Sequence, residues 1–159
     1  MRRLFAMRYK QPRSIQVVVF AESAEKRLYL LLRRVPSHGG FWQSVTGSLE
    51  DGETHLQAAV REVCEETGFS VQEHELIDLG LTNRFEIAEQ WRPKYAPGVT
   101  HNEEVCFALP VHQASVDLDR LEHDEYVWVD YDAAAGMLYW ESNRRTLAAV
   151  DGLSREEFL

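Results

Sequence analysis

The stretch Gly47–Phe69, GSLEDGETHLQAAVREVCEETGF, decides how the rest of the chain is interpreted. It predicts an amphipathic helix from Thr54 to Thr67, because apolar residues recur at helical spacing and Thr54 with Gln57 forms a capping-box pattern. Gly68 follows the last helical residue, where a left-handed residue commonly ends a helix. The segment therefore predicts a loop, a helix and a second loop.

Three acidic residues of this helix, Glu62, Glu65 and Glu66, project from one side. At 100° per residue they fall within an arc of about 100°, beside the apolar face. Like charges at this spacing destabilise a helix by roughly 0.2–0.5 kcal/mol per pair. A hard divalent cation reverses that effect, and Mg²⁺ prefers carboxylate oxygens together with water and substrate phosphates. The pattern indicates either a solvated acidic face or a Mg²⁺ site that receives a phosphate.

The composition is that of an acidic globular protein. The chain has 159 residues, with 17 Lys and Arg against 26 Asp and Glu, and a formal net charge of −9. Such a charge disfavours non-specific binding to nucleic acid or anionic lipid. The length predicts a single domain, 1–159, in which residues 1 to about 8 are a candidate flexible extension. Cys64 and Cys106 are expected to be reduced core residues, which is typical of a cytoplasmic protein.

The remaining chain predicts a mixed sheet with helices packed on it, an α/β domain. We expect strands rich in β-branched and aliphatic residues at Ser14–Phe20, Leu28–Arg34, Trp42–Thr46, Leu76–Thr82, Val105–Leu109 and Tyr126–Val129. The first two strands are expected to form a hairpin. Residues 83–104 contain two prolines and a glycine and predict a long functional loop. Two late helices are expected to be capped by Asp132 and Ser142.

The spacing within Gly47–Phe69 matches the Nudix box, G-x5-E-x7-R-E-U-x-E-E-x-G-U with U apolar, at every defined position. The chain therefore resembles the Nudix hydrolases. This resemblance implies an α/β/α sandwich, and hydrolysis of a nucleoside diphosphate linked to another moiety with Mg²⁺ or Mn²⁺. It implies metal binding by Glu62, Glu65 and Glu66. Of these, Glu62 and Glu66 are expected to be catalytic, and Glu62 is the base either in place of metal binding or in addition to it. The residues expected to maintain the structure of the box are Gly47, Glu53, Arg61 and Gly68.

Stretches outside the box resemble one branch of this family, the bacterial dihydroneopterin triphosphate pyrophosphatases. The stretches are Tyr9–Phe20, Phe41–Thr54, Tyr95–Glu104, Glu122–Asp130 and Ser142–Arg144. The resemblance implies Mg²⁺-dependent cleavage of dihydroneopterin triphosphate to dihydroneopterin monophosphate and pyrophosphate, a step of folate biosynthesis. Several loops differ from that branch, and the preference for a particular ring stays open.

The same resemblance implies contacts to the substrate. Lys10 and Arg33 are expected to bind the triphosphate, although each also fits ordinary surface charge. Thr46 is a candidate substrate contact or a plain strand-end residue. Trp42 is a candidate for stacking on the ring or a core residue. The segment expected beside the pterin or base consists of Phe85, Glu86, Ile87 and Ala88.

A carboxylate outside the box is expected to complete the metal site or to activate water, and the resemblance assigns this role to Glu122. Asp119, Asp124 and Glu125 are competitors, and the whole group also fits a solvated acidic loop. His123 is expected to be a bystander.

Other functions stay open at this point. A nucleoside triphosphate pyrophosphatase acting on dATP or an oxidised purine nucleotide would use the same box. A non-catalytic ligand-sensing module usually loses acids from the box, and this chain has lost none. An RNA 5′-end hydrolase is disfavoured by the net charge of −9. The expected partner is a small triphosphate, with neither nucleic acid nor membrane, and the oligomeric state is open.

Overall fold

The computed structural model describes residues 8–158, so the expected N-terminal extension lies outside the described residues apart from Arg8. No helix in that part of the chain has the length and apolarity needed to cross a membrane. The strands are β1 (Arg13–Glu22), β2 (Arg27–Arg34), β3 (Trp42–Gln43), β4 (Val45–Ser48), β5 (Ile77–Glu86), β6 (His101–Val111) and β7 (His123–Val129). The α-helices are α1 (His55–Thr67), α2 (Tyr131–Met137) and α3 (Glu141–Asp151).

The strands form one mixed sheet with β1 near its centre. The order is β3-β2-β1-β6-β5, with β4 also pairing with β1 and β7 with β2. β1 runs parallel to β6 and antiparallel to β2 and β4. Its first half pairs with β4, as in Ser14 with Ser48, and its second half pairs with β2, as in Phe20 with Tyr29. The predicted hairpin of β1 and β2 is confirmed.

Helices cover both faces of the sheet, so the predicted α/β/α sandwich is confirmed. Successive residues of a strand point to opposite faces. Val17 of β1 accordingly belongs to the core cluster that contains Val63 of α1. Its neighbour Val18 belongs to the cluster that contains Leu147 of α3. Helix α1 therefore lies on one side of the sheet, and α2 and α3 lie on the other.

The expected strand Trp42–Thr46 consists of two strands separated by Ser44. β3 pairs with β2 and β4 pairs with β1, so the chain changes partner at this point. The Ser44 N–H donates to Asn143 Oδ1 over 3.1 Å, a side-chain bond in place of a strand bond. As a result Gly47 lies within β4 and not after it.

The expected long loop at residues 83–104 is wrong at its two ends, where residues 83–86 and 101–104 lie in strands. β5 continues to Glu86 and β6 begins at His101, because the antiparallel pairing extends to these two residues. The prolines and the glycine are confined to residues 87–100, which include a 3-10 turn at Glu89–Lys94. The predicted strand Leu76–Thr82 covers most of β5, and the exposed polar side chains of Arg84 and Glu86 explain why its last four residues were missed.

Three further expectations are wrong. Asp130, not Asp132, caps α2 by accepting a hydrogen bond from the Ala133 N–H over 3.0 Å. Helix α3 begins at Glu141, so Ser142 lies in its first turn and does not cap it. Of the two cysteines only Cys106 is buried, whereas Cys64 is exposed.

Candidate active site

The two ends of α1 are fixed as predicted. Thr54 Oγ1 accepts from the Gln57 N–H over 3.1 Å, and Gln57 Oε1 accepts from the Thr54 N–H over 3.0 Å. Gly68 ends the helix in the left-handed conformation at φ 80°. These caps set the phase of the helix and therefore the direction in which its acidic residues point.

Arg61 connects the loop, strand β4 and the acidic face of α1. Its Nε and Nη2 donate to the two carboxylate oxygens of Glu53 over 2.7 and 2.9 Å. Nη2 also donates to the Ser48 carbonyl over 3.0 Å. Nη1 donates to Glu62 over 2.7 Å and to Glu65 over 3.3 Å. The hydrogen bond from Arg61 holds the pKa of Glu53 below its ordinary value.

Glu66 is the buried acid of the helix, with 5% of its surface exposed. Burial raises its pKa well above the ordinary value, and the adjacent Glu62 carboxyl raises it further. Glu66 Oε1 is buried without a hydrogen-bond partner. A buried unpartnered carboxylate oxygen is unfavourable unless a cation or a donor meets it.

Gly47 is required by close approach to Glu62. A Cβ atom at this position would lie 2.2 Å from both Cδ and Oε1 of Glu62. The φ angle of Gly47 is not positive, so backbone strain is not the reason for glycine here. Only glycine lets the Glu62 carboxyl pack against the backbone of β4.

The acids of α1 fit a divalent cation by their chemistry. Within residues 8–158, no three His, Cys, Asp or Glu side chains are grouped closely enough to hold an ion as they stand. Arg61 engages Glu62 and Glu65, which accounts for this arrangement. The donors are nevertheless carboxylate oxygens, and Glu66 Oε1 is without a partner. Hard cations such as Mg²⁺ prefer such oxygens.

A cleft of about 1070 Å³ runs from these acids along the edge of β4. It has the size of a pocket for a drug-sized molecule or slightly more. The cleft is lined by all four residues that were predicted beside the ring and by Thr46. These residues are Thr46, Phe85, Glu86, Ile87 and Ala88. Trp42 instead packs against the core on the α3 side and is not part of the cleft wall.

Seven Lys and Arg residues line the cleft, and three of them, Lys10, Arg34 and Lys94, act on one another through their charges. Burial lowers the pKa of Lys10, and the charges of Lys94 and Arg34 lower it further. Cations that repel one another in a partly buried cleft are relieved by an anion between them. The cluster therefore fits a polyphosphate.

Arg33, the second cation expected at the triphosphate, is not brought to the cleft. Its guanidinium contacts Asp124 and Glu125 over 2.8 and 3.0 Å and lies over the ring of Trp42. Adjacent strand residues point to opposite faces, so its neighbour Arg34 faces the cleft instead. The sequence signal, two consecutive arginines at a strand end, did not distinguish them.

Glu122 lines the cleft, and Arg34 Nη1 donates to its Oε2 over 2.7 Å. Of its three competitors, only Asp119 shares the cleft wall. Asp124 and Glu125 pair with Arg33. Of the four acids considered for this role, the fold therefore brings Glu122 and Asp119 to the cleft wall.

His123 is buried behind Glu66. Its Nε2 lies 3.2 Å from Gln43 Nε2 and 3.9 Å from Glu66 Oε1. Burial lowers the pKa of His123 to about 4, so the ring is neutral near pH 7. The ring therefore adds no charge behind Glu66.

Sequence analysis missed several polar residues that line the cleft. They are Arg34, Lys94, Asn102, Glu104 and Asn143. Asn102 and Glu104 lie in the polar stretch His101–Glu104 at the start of β6, so their spacing of two residues was the one available signal. The expected loop at residues 83–104 obscured that signal.

Comparison with known proteins agrees with this geometry. The model of the NUDIX domain matches residues 10–150. The chain belongs to the NUDIX family. Members of this family generally need a divalent metal ion. The chain carries the complete Nudix box on the loop, α1 and the turn that follows it.

This Nudix chain is similar over most of its length to characterised enzymes. It is 46% identical over 143 residues to the dihydroneopterin triphosphate diphosphatase of Escherichia coli K12, covering 87% of this chain and 91% of that enzyme. It is 33% identical over 143 residues to the Haemophilus influenzae enzyme of the same name. The structure of the E. coli dihydroneopterin triphosphate pyrophosphohydrolase matches with a TM-score of 0.79 and 42% identity, covering 91% of this chain and 99% of that one.

Proposed function

We propose that this Nudix hydrolase is a Mg²⁺-dependent pyrophosphohydrolase of dihydroneopterin triphosphate. Its products are dihydroneopterin monophosphate and pyrophosphate, in folate biosynthesis. One observation carries the choice of substrate. The 46% identity to the E. coli enzyme extends over 87% of the chain, well beyond the box that every Nudix hydrolase shares.

Glu62, Glu65 and Glu66 would hold the metal ion, and Glu122 would complete its site. When bound, Mg²⁺ neutralises phosphate charge and lowers the pKa of bound water. The carboxylates fit this role because Glu66 Oε1 is buried and unpartnered. Mn²⁺ has the same ligand preference and is the alternative ion.

The cations of the cleft would orient the triphosphate. Lys10, Arg34 and Lys94 line the same cleft as the acids of α1, so these cations and the metal ion that the acids would hold both attract the phosphate oxygens. Thr46 lies at the same point of the wall and presents a hydroxyl. Holding the reacting groups in line supplies most of the acceleration in phosphoryl transfer.

The reaction consumes one water molecule. Its oxygen forms a bond to a phosphorus atom as the bond from that phosphorus to the pyrophosphate leaving group breaks. The proton released by the water passes to a carboxylate oxygen of Glu62, Glu66 or Glu122. The chain forms no covalent intermediate in this scheme.

The ring would lie against Phe85, whose side chain is partly exposed in the cleft wall. An aromatic side chain stacks on a flat heterocycle with little loss of side-chain freedom. Glu86, Ile87 and Ala88 continue the same wall. We further propose that the protein acts in the cytoplasm on a small molecule and binds neither nucleic acid nor membranes.

A substrate panel tests the proposed function. Initial rates with Mg²⁺ are measured for dihydroneopterin triphosphate, dATP, dGTP, 8-oxo-dGTP and GTP, with pyrophosphate and orthophosphate scored separately. We expect kcat/KM for the pterin to exceed that for every nucleotide at least tenfold, with pyrophosphate released. An equal or faster rate on a nucleotide would overturn the substrate and leave the family chemistry intact.

A further inference from the structure

Two buried polar residues of β6, Asn102 and Glu104, line the cleft on the α3 side of the sheet. They expose 4% and 3% of their surfaces. Being two residues apart, they point to the same face of the sheet. Helix α1 with its metal-binding acids lies on the other face. The pair therefore lies on the face of the sheet opposite the acids to which the proposed hydrolysis assigns the metal ion.

The surrounding amides direct their donors at Glu104. Gln16 Nε2 donates to Glu104 Oε1 over 2.8 Å, and Asn83 Nδ2 donates to the same oxygen over 3.1 Å. Arg145 Nη1 donates to Asn83 Oδ1 over 2.8 Å, which fixes the orientation of that amide. These hydrogen bonds hold the Glu104 carboxylate in place and use the amide N–H groups of Gln16 and Asn83 as donors.

The acceptors of this pair remain available. Both hydrogen bonds to Glu104 end on Oε1, and no side chain within residues 8–158 donates to Oε2. Asn102 donates its Nδ2 to Ser14 Oγ over 2.7 Å, while its buried Oδ1 has no partner. Buried polar atoms in native proteins are almost always paired. Asn102 Oδ1 is such a buried atom without a partner, and Glu104 Oε2 is a second acceptor on the same face of β6. Together they fit a ligand that brings hydrogen-bond donors.

We propose that Glu104 and Asn102 recognise the donor edge of the substrate ring, a 2-amino-4-oxo heterocycle. This inference rests on the proposed function, which supplies the ring. Such a ring presents an amino group and an adjacent ring N–H, and a carboxylate accepts from donors of this kind. Adenine lacks that pair of donors. The same residues would therefore separate pterin and guanine rings from adenine.

The test uses Glu104→Gln, which keeps the shape of the side chain and removes the charge. Binding of phosphate-free 7,8-dihydroneopterin reports on the ring site, and binding of pyrophosphate with Mg²⁺ reports on the phosphate site. We expect Kd for dihydroneopterin to rise at least tenfold and Kd for pyrophosphate to stay within about threefold. Glu103→Gln, an exposed neighbour on the opposite face of β6, is the matched control and should change neither.

If Glu104→Gln weakens the binding of dihydroneopterin and of pyrophosphate equally, the residue has a structural role and the inference is overturned. Unchanged binding of dihydroneopterin by this variant would also overturn it. Absence of dihydroneopterin binding by the unmodified protein would also overturn it. If Glu104→Gln does not fold, Asn102→Leu removes the second acceptor and is expected to give the same selective loss. The binding assay with dihydroneopterin requires no hydrolysis. A failure of the proposed reaction would therefore appear in the substrate panel and not in this assay.

Discussion

At the scale of the single residue, Gly47 determines where the Glu62 carboxyl can lie. We predict that Gly47→Ala lowers kcat/KM about 100-fold, because the new Cβ would lie 2.2 Å from the Glu62 carboxyl and displace it. Misplacement of a reacting group by about 1 Å costs on the order of 10²-fold in rate. Steady-state kinetics with the preferred triphosphate measure the effect, and circular dichroism checks the fold.

Gly136→Ala is the matched control. Gly136 lies in α2, has no positive φ, and a Cβ there would meet nothing within 4 Å. We expect unchanged kinetics and a gain of up to about 1 kcal/mol in unfolding free energy, since alanine favours helices over glycine. A Gly47→Ala protein with full activity would show that Glu62 need not occupy its observed position.

At the scale of the element, the N-terminus of α1 anchors the helix that carries the acids. We predict that Thr54→Ala lowers the unfolding free energy by about 1 kcal/mol, because the Gln57 N–H loses its acceptor at the helix start. Urea titration measures this change through the transition midpoint. Thr54→Ser keeps the hydroxyl and is expected to stay close to the unmodified protein. An equal loss in both variants would contradict the capping explanation.

At the scale of the whole molecule, the net charge is −9 and Glu66 is buried, so we expect the free protein to respond to divalent cations. We predict that Mg²⁺ raises Tm by several degrees, since a ligand present at 100 times its Kd stabilises the native state by about 2.7 kcal/mol. Differential scanning fluorimetry measures this shift. In Glu66→Gln the shift should be much smaller, because one ligand is removed.

Sodium chloride at matched ionic strength separates binding from screening. It is expected to give a small change in Tm, since a monovalent salt screens surface charge without occupying the carboxylate site. An equal shift with both salts, or an undiminished Mg²⁺ shift in Glu66→Gln, would contradict metal binding by these acids.

The elements that sequence analysis predicted well are those whose determinants are local. The start and end of α1 depend on contacts within four residues, such as Thr54 with Gln57. The caps of α2 and α3 were each misplaced by two residues, because Asp130 and Asp132 compete at the start of α2 and α3 begins after Trp140 without a side-chain cap. The strand at residues 101–104 was missed because its pairing with β5 outweighs its polar composition.

By itself, the sequence determined the Nudix box and the acidic face of α1. Both follow from 23 consecutive residues, because helical periodicity and the two caps determine the direction in which each side chain of α1 points. Only the tertiary structure decided that Arg34, and not Arg33, faces the cleft, and that Glu104 meets Gln16, 88 residues away in the chain. Strand register and the packing of α3 create these contacts. Such long-range pairings leave no periodic signal in a single sequence.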